Sequence, residues 1–326
     1  MELFNAIQDM YSIEIAGHQE LKRRLLNPYY IVLTDDAKRC FLKSYSTQNI
    51  KPLESKNFDR MAGITEYLMD HDVFTPRIIK TNDGNNCAKI DNYWYVLFEY
   101  FQQDPSFNMK HKIGECVSKV HGVLQKTKMK PFDSWSLHIG NVQEIKDIFL
   151  SVDNYLYGKR KHLYLEEEMY LKNHSAIKNL VIGLDDYICD LETSLKRQFI
   201  HGDLHIENIV TNEYHSGVID LDTCHFGFIV EDYTVLIRDL FFRSEHRINS
   251  VLPEYISFRN QYTQRSCFNA EMVYRGMLYC LIKDLATLLI NWKLTSRFEI
   301  TRKLARYFIE QINYLQECEH ELIRVL

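Results

Sequence analysis

Two short polar segments in the second half of the chain constrain its fold and chemistry most strongly. Residues 201–208 read His-Gly-Asp-Leu-His-Ile-Glu-Asn, and residues 219–222 read Ile-Asp-Leu-Asp. Asp203 precedes Asn208 by five positions and Asp220 by seventeen. This spacing is typical of a phosphoryl-transfer centre, where one carboxylate orients or deprotonates a hydroxyl while an amide and a second carboxylate hold Mg²⁺ on nucleotide phosphates.

The residues around these segments predict a loop followed by a hairpin. A short apolar run before Gly202 is expected to be a strand, and the sharp turn at this glycine would leave Asp203 at a loop tip. Two further short strands, at 207–210 and 217–220, are joined by a polar turn, and this hairpin would bring the amide and the second carboxylate together. Mg²⁺ prefers hard oxygen ligands and keeps several waters, so two protein ligands suffice.

The pattern resembles the catalytic loop of protein kinases, with Gly202 where those enzymes have arginine. That glycine is typical of the aminoglycoside phosphotransferase-like kinases, a group of antibiotic kinases, choline and homoserine kinases and kinase-like spore-coat proteins. The resemblance implies an α+β, protein-kinase-like fold with two lobes. Residues 1–101 would form a small β-rich, nucleotide-binding lobe, and residues 102–326 a large, mostly helical lobe with the catalytic loop and substrate cleft.

The same resemblance implies roles for individual residues. Asp203 would be the catalytic base, and Asn208 and Asp220 the metal ligands. Asp232 resembles an acidic residue with a structural role, which these families place about ten positions after the second motif. Two interpretations of Asp222 stay open at this point, a second metal ligand or a solvated acid.

The histidines of the first motif do not predict a zinc site. His201 and His205 lie in a predicted turn rather than on a helix, and no matching cluster of cysteine or histidine lies nearby in the sequence. We therefore expect His201 to be a hydrogen-bonded anchor of the loop.

Lys43 is the candidate nucleotide-binding lysine. Two runs rich in β-forming residues, 29–33 and 40–45, are separated by a polar turn and predict a hairpin. Lys43 follows an apolar pair on the second strand, as the phosphate-contacting lysine does in the kinases that the chain resembles. A solvated strand lysine is the alternative.

The sequence departs from that family pattern in the phosphate-binding loop. No glycine lies between Gly17 and Gly63, so no glycine-rich loop is present in this stretch. The corresponding turn would be residues 23–28, where an arginine or Asn27 would meet the phosphates instead.

A helix and a strand complete the predicted nucleotide site. Apolar residues at helical spacing predict a helix over 53–69, with Asp59 or Glu66 as alternative ion-pair partners of the candidate lysine. The aromatic run 94–101 predicts a strand that leads to a hinge. Backbone groups from Glu99 to Phe101 would bind adenine there, and residues 102–105 would link the two lobes.

Composition excludes several other classes of protein. The 326-residue chain is 46% hydrophobic, which is ample for a core, and its net charge of −5 with one short basic run at 22–24 does not indicate nucleic-acid binding. Its apolar runs are too short to span a membrane, and no charged-then-apolar leader begins the sequence. Eight cysteines without a Cys-x-x-Cys pair predict a reduced, cytoplasmic protein.

The residues therefore predict an ATP-dependent phosphotransferase that uses Mg²⁺, with GTP as an alternative donor. Its acceptor would be a hydroxylated small molecule, such as an aminoglycoside-type antibiotic, an amino alcohol or a sugar. The acidic balance favours a cationic acceptor only weakly. The competing hypothesis is a kinase-like structural or binding protein of the spore-coat type. A protein kinase is disfavoured because no Ala-Pro-Glu signature follows Asp220. The oligomeric state stays open.

Overall fold

The structure is a computed structural model that describes most of the chain. The predicted phosphate-facing turn, apart from Pro28, and the predicted linker at 102–105 lie outside the described residues. The described ranges are 2–21, 28–47, 53–101, 113–132, 141–159, 163–211, 216–243, 248–262, 268–290, 292 and 299–326.

The described residues form two compact units. The sheet unit contains those of Met1–Met109 and Asn208–Asp222, and the helical unit contains those of Lys110–Ser134, His138–Glu207 and Thr223–Leu326. The described residues of 208–222 belong to the sheet unit, whereas the sequence assigned them to the helical lobe, because their hairpin packs beside Phe74. The exact boundary between residues 101 and 102 stays a prediction.

The strands of the described residues are short and antiparallel. Their order in the main sheet is β1-β2-β3-β6-β4, with β5 on another part of β6, while β8 pairs with β9 and β10 with β7. The strands are β1 (Ile15–Leu21), β2 (Tyr29–Thr34), β3 (Arg39–Ser46), β4 (Ile78–Ile79), β5 (Ala88–Ile90), β6 (Tyr93–Glu99), β7 (Gln198–Ile200), β8 (Ile209–Thr211), β9 (Ser216–Val218) and β10 (His225–Gly227).

Most described helices lie in the helical unit, and two belong to the sheet unit. They are α1 (Glu2–Tyr11), α2 (Ser55–Met69), α3 (Ile113–Leu124), α4 (Val142–Lys159), α5 (Leu165–Lys172), α6 (His174–Ile182), α7 (Leu184–Ser194), α8 (Ile229–Arg243), α9 (Ile248–Gln261), α10 (Ala270–Leu289), α11 (Glu299–Glu317) and α12 (Glu319–Val325). None of them, within the described ranges, is long and apolar enough to cross a bilayer.

The core of the sheet unit follows from strand alternation. Val32 and Leu42 point to the same side of the main sheet as Leu97, and all three are fully buried. Helix α1 covers this side with Ile7 and Tyr11. Side chains at the alternate positions of β3, including Lys43, point to the opposite side of the sheet.

Helix α2 begins at a capping pair. The Glu54 N–H donates to the side-chain oxygen of Asn57 at 2.9 Å, and the Asn57 N–H donates to the Glu54 carbonyl at 3.0 Å. Phe58, Ile64 and Leu68 are fully buried at helical spacing. The predicted apolar stripe of 53–69 therefore forms the buried face of α2.

Helix α10 organises the helical unit. It packs against α4, α8 and α11 and is buried on most of its circumference. The side-chain oxygen of Asn269 accepts the Met272 N–H at 2.8 Å and so begins the helix. A core helix of this kind gives the loops at its flanks a rigid support.

Candidate active site

Lys43 lies in the middle of the main sheet with its side chain buried. Its Cα pairs with those of Tyr29 on β2 and Val96 on β6, and the residue is only 4% exposed. Phe41 and Tyr45 share its side of β3, because side chains two positions apart on a strand point the same way. A buried lysine requires opposite charge nearby, since an unpaired ammonium is costly to remove from water.

Two carboxylates and two aromatic rings surround this ammonium group. Lys43 Nζ lies 2.5 Å from Asp220 Oδ1 and also donates to Asp222 Oδ2. The rings of Tyr29 and Tyr45 lie 5.4 and 5.2 Å from Nζ, within the range of a cation–π contact. The alternative of a solvated strand lysine is therefore wrong.

Burial and the neighbouring charges shift the pKa values of Lys43 and Asp222. Burial alone would lower the pKa of Lys43, but the carboxylates of Asp220 and Asp222 raise it well above the usual value, so the amine stays charged. Burial raises the pKa of Asp222 to about 6, against the opposing effects of Lys43 and of the Tyr45 hydroxyl. The cluster is an anionic site with one fixed cation.

The hairpin of β8 and β9 places Asp220 in this cluster. Ile209 pairs with Val218, and the Ile219 N–H donates to the Asn208 carbonyl at 2.9 Å, so the ladder continues to the residue before Asp220. Asp220 itself has a left-handed backbone with φ of 67°, which ends the strand. The sequence predicted this pairing, and it brings Asn208 and Asp220 to the same end of the hairpin.

Close contact with Phe74 fixes where the hairpin lies in the sheet unit. The Val218 N–H donates to the Phe74 carbonyl at 2.9 Å, and Gly217 approaches so closely that a Cβ there would lie 1.8 Å from that oxygen. No side chain fits at this position without movement of the backbone. Gly217 is therefore a structural requirement for the position of Asp220.

A pocket in the sheet unit opens onto this cluster. It contains about 890 Å³ of empty volume, and this figure includes the open space at its mouth. Most of its wall is apolar, and Lys43, Asp220 and Asp222 lie together in it. Its lining residues are Phe41, Lys43, Met61, Thr65, Thr75, Pro76, Phe98, Glu99, Tyr100, Phe101, Val210, Ile219, Asp220, Leu221 and Asp222.

The predicted catalytic loop lies in the helical unit and is held by Asp232. The backbone N–H groups of His201 and Gly202 each donate to the Asp232 carboxylate at 2.7 Å, and His121 Nε2 lies 3.0 Å from it. Asp232 is fully buried, and although burial raises its pKa, hydrogen bonding to His121 lowers it overall. These contacts fit the structural role that the resemblance implied for Asp232.

Gly202 makes the turn that precedes Asp203. Its φ is 83°, and a Cβ there would lie 2.4 Å from the Thr223 carbonyl oxygen, so only glycine fits. The Asp203 side chain is 44% exposed and lies 3.8 Å from His205 Nε2. An exposed carboxylate after a rigid turn is accessible to a ligand.

A family model matches the middle of the chain, and the match includes the loop and the segment that follows it. Residues 152–271 match the model described as the phosphotransferase enzyme family. This match supports the resemblance to the aminoglycoside phosphotransferase-like kinases that the two motifs indicated. No curated protein sequence matches this chain significantly.

Solved structures share the fold of this chain over nearly its whole length. Amicoumacin kinase hAmiN in complex with AMP-PNP, Ca²⁺ and Ami is 12% identical, with a TM-score of 0.64 over 95% of this chain and 92% of that one. Spectinomycin phosphotransferase APH(9)-Ia with ADP is 16% identical, with a TM-score of 0.64 over 99% and 96%. Choline kinase LicA from Streptococcus pneumoniae is 14% identical, with a TM-score of 0.63 over 97% and 100%. These likenesses confirm the predicted kinase-like α+β fold.

Lys43 has different partners from those predicted. Among the residues that the structure describes, Lys43 pairs with neither Asp59 nor Glu66. Asp59 accepts a hydrogen bond from Asn86 at 2.8 Å, and the exposed Glu66 lies 3.9 Å from Lys80. The helical periodicity left both acids open, but it does not determine which side of α2 faces the lysine.

Asp222 is not the solvated acid that was one of the two alternatives left open by the sequence. It is 8% exposed, so it is not a solvated acid, and its carboxylate oxygens accept hydrogen bonds from Lys43 and Tyr45. Sequence reasoning missed the hydroxyl of Tyr45. The period-two alternation of β3, which puts Tyr45 on the same side as Lys43, was the available signal.

The donor set near Asp220 fits a hard divalent cation that is also bound by phosphate. Asn208 is 5% exposed and Asp220 keeps a quarter of its side-chain surface exposed. Within the described part of the chain, no three His, Cys, Asp or Glu side chains form a self-sufficient metal site. Mg²⁺ is commonly bound by one or two protein oxygens together with substrate phosphates, and this set suits that arrangement.

Proposed function

We propose that the protein is an ATP-dependent phosphotransferase that transfers the γ-phosphate to a hydroxyl of a small molecule. The observation that carries this proposal is the pocket of the sheet unit, which combines an apolar wall with Lys43 and Asp220 at one end. The match to the phosphotransferase enzyme family supports the same reaction class.

The purine would occupy the apolar part of this pocket. Phe41 and Phe98 are neighbours on the adjacent strands β3 and β6, with ring centroids 6.4 Å apart, and Phe101 lines the same pocket. Aromatic walls favour a flat heterocycle. Backbone groups between Glu99 and Phe101 would bind the purine edge, and ATP is the proposed donor, with GTP as the alternative.

Lys43 would contact the phosphates, and Asn208 with Asp220 would hold Mg²⁺. When bound, the metal supplies positive charge that offsets the charge of the transferring phosphoryl group. Lys43 is already charged and fixed, so it loses little freedom when phosphate binds. Asp220 is the more exposed of its two carboxylate partners, at 26% against 11% for Asp222.

Asp203 would orient the acceptor hydroxyl and take up its proton. Its exposure leaves the carboxylate open to a ligand, while Asp232 holds the preceding backbone in place. A carboxylate can accept the proton late in the transfer, because the leaving phosphate carries most of the developing charge.

The acceptor is proposed to be a hydroxylated small molecule, as the names of the similar structures suggest. They include kinases of amicoumacin, spectinomycin, choline and aminopropanol. Several acids that could have attracted a cationic acceptor are engaged internally. Asp232 is buried and the Glu231 side chain is 14% exposed, while Glu167 pairs with Lys159 and Asp284 pairs with Arg238.

We also propose a cytoplasmic location, without nucleic-acid or membrane partners. Seven cysteines lie in the described residues and all are free, five of them buried, as expected in a reducing compartment.

A kinase-like binding protein of the spore-coat type is the second candidate. It is favoured by the absence of glycine between Gly17 and Gly63, since such a loop normally brings backbone N–H groups to the phosphates. The intact set of Asp203, Asn208 and Asp220 favours the enzyme.

Release of ADP with a panel of acceptors tests the proposal. Antibiotics, amino alcohols and sugars would be screened with ATP and Mg²⁺ against the wild type and Asp203→Asn. We expect at least one acceptor to stimulate ADP release, and the variant to lose about 100-fold or more of that rate, since a positioned base contributes on this order. The variant should still bind ATP. Equal rates in the two proteins would remove Asp203 from the mechanism, and no stimulation by any class would favour the binding protein.

A further inference from the structure

The side of helix α2 that lines the nucleotide pocket carries no acid. Met61 and Thr65, one helical turn apart, are its two residues in the pocket wall, and both are buried. The two acids considered from sequence, Asp59 and Glu66, have other partners. A carboxylate that positions the strand lysine must therefore come from elsewhere in the sheet unit.

Asp222 meets the requirements for that role. Its Oδ2 accepts from Lys43 Nζ, and its Oδ1 accepts from the Tyr45 hydroxyl at 3.0 Å. Both carboxylate oxygens therefore have a donor, and the side chain is only 11% exposed. Binding of a cation would require it to give up one of these bonds inside a buried site.

Asp220 differs from Asp222 in exposure and in its place in the chain. It is 26% exposed and follows directly on the β8–β9 hairpin that also carries Asn208. If Asp222 neutralises Lys43, Asp220 remains as the net negative charge of the cluster. Asp222 would then pair with the lysine, and Asp220 would be able to bind a cation.

We propose that Asp222 is the positioning residue for Lys43, that the Tyr45 hydroxyl holds Asp222 in place, and that Asp222 is not a metal ligand. This inference rests on the proposed function, because it concerns how the same pocket receives nucleotide phosphates. Loss of Asp222 would let Lys43 move fully onto Asp220, which would remove the lysine from the phosphates and occupy the carboxylate that a cation needs.

A double-mutant cycle tests whether Asp222 acts through Lys43. ADP affinity would be measured by calorimetry, with Mg²⁺ and with a chelator, for wild type, Asp222→Asn, Lys43→Met and the double variant. We expect Asp222→Asn to weaken ADP binding about tenfold with and without Mg²⁺. In the Lys43→Met background the same change should cost less than about twofold, since residues that act as a unit are not additive.

A pair of tyrosine variants provides the matched control. The rings of Tyr45 and Tyr29 lie at similar distances from Lys43, but only the Tyr45 hydroxyl donates to Asp222. Tyr45→Phe should weaken ADP binding about threefold, and Tyr29→Phe should leave it within twofold of wild type. These changes keep the rings, so they test the hydroxyl even if a charge variant folds poorly, which circular dichroism would reveal.

Two results would overturn the inference. One is a cost of Asp222→Asn that is confined to the Mg²⁺-containing samples and equal in both lysine backgrounds, which identifies a metal ligand. The other is unchanged ADP affinity in both Asp222→Asn and Tyr45→Phe. If wild-type protein binds no nucleotide under either condition, the proposed function itself fails, and that result is distinct from both.

Discussion

At the scale of single residues, the neighbouring acids Glu231 and Asp232 stabilise different parts of the helical unit. Asp232 accepts the N–H groups that shape the loop before Asp203. Glu231 accepts the Phe228 N–H at 3.0 Å and lies 3.9 Å from His225 Nε2 and 4.0 Å from Lys283 Nζ. Both acids thus stabilise local structure in the helical unit rather than offering charge to a ligand.

The surroundings of Glu231 make stability depend on pH. Burial alone would raise its pKa, but His225, Lys283 and the Phe228 N–H lower it from 4.5 to about 2. Since the folded pKa is the lower one, the carboxylate contributes stability above pH 4.5, and this contribution is lost as pH falls toward 2.

Glu231→Gln is therefore expected to lower the free energy of unfolding at pH 7 by about 1–3 kcal/mol. It should also flatten the decline of stability between pH 4.5 and 2. Urea titrations at pH 7, 4 and 3 measure both effects. Glu192→Gln is the control, because Glu192 forms an exposed pair with Arg197 and should change stability by less than about 1 kcal/mol. Parallel pH profiles for wild type and Glu231→Gln would contradict the assignment.

At the scale of elements, the β8–β9 hairpin determines where Asn208 and Asp220 lie. Its strands are only three residues each, so backbone pairing alone is weak. The contact of Gly217 with Phe74 supplies the missing restraint.

Gly217→Ala should therefore move the hairpin, because its Cβ would lie 1.8 Å from a carbonyl oxygen. We expect about 2 kcal/mol or more of lost stability and at least a tenfold loss of Mg²⁺-ADP affinity, in line with other backbone clashes. Gly158→Ala is the matched control, since a Cβ there meets nothing within 4 Å and alanine favours its helix. Equal effects of the two substitutions would show that the close approach is unimportant.

At the scale of the whole molecule, nucleotide binding should be visible as thermal stabilisation. A ligand present at a hundred times its dissociation constant stabilises the folded state by about 2.7 kcal/mol. ATP, GTP and ADP at millimolar concentration, with and without Mg²⁺, should raise the melting temperature by a few degrees, and Lys43→Met should reduce the shift. The nucleotide, ATP or GTP, that raises the melting temperature more would be identified as the donor. The absence of any shift in the wild type would favour the binding-protein hypothesis.

The sequence by itself determined the parts of this protein whose signal is local. Runs of β-forming and aromatic residues identified β2, β3 and β6, and helical periodicity identified α2. The turn at Gly202 identified the loop, and two short apolar runs joined by a polar turn identified the hairpin. These patterns depend on residues a few positions apart, so they can be read without knowing what packs against them. The metal and catalytic roles remain predictions.

Only the tertiary structure decided which charges meet. Lys43 and Asp222 are 179 positions apart, and their pairing depends on where the β8–β9 hairpin lies beside the main sheet. Periodicity predicts the face of a helix or strand on which a side chain lies, but it does not predict which distant residue will contact that face. The choice of Asp222 over Asp59 or Glu66 therefore rests on packing between distant segments, because burial of the ammonium group favours whichever carboxylates the fold places beside it.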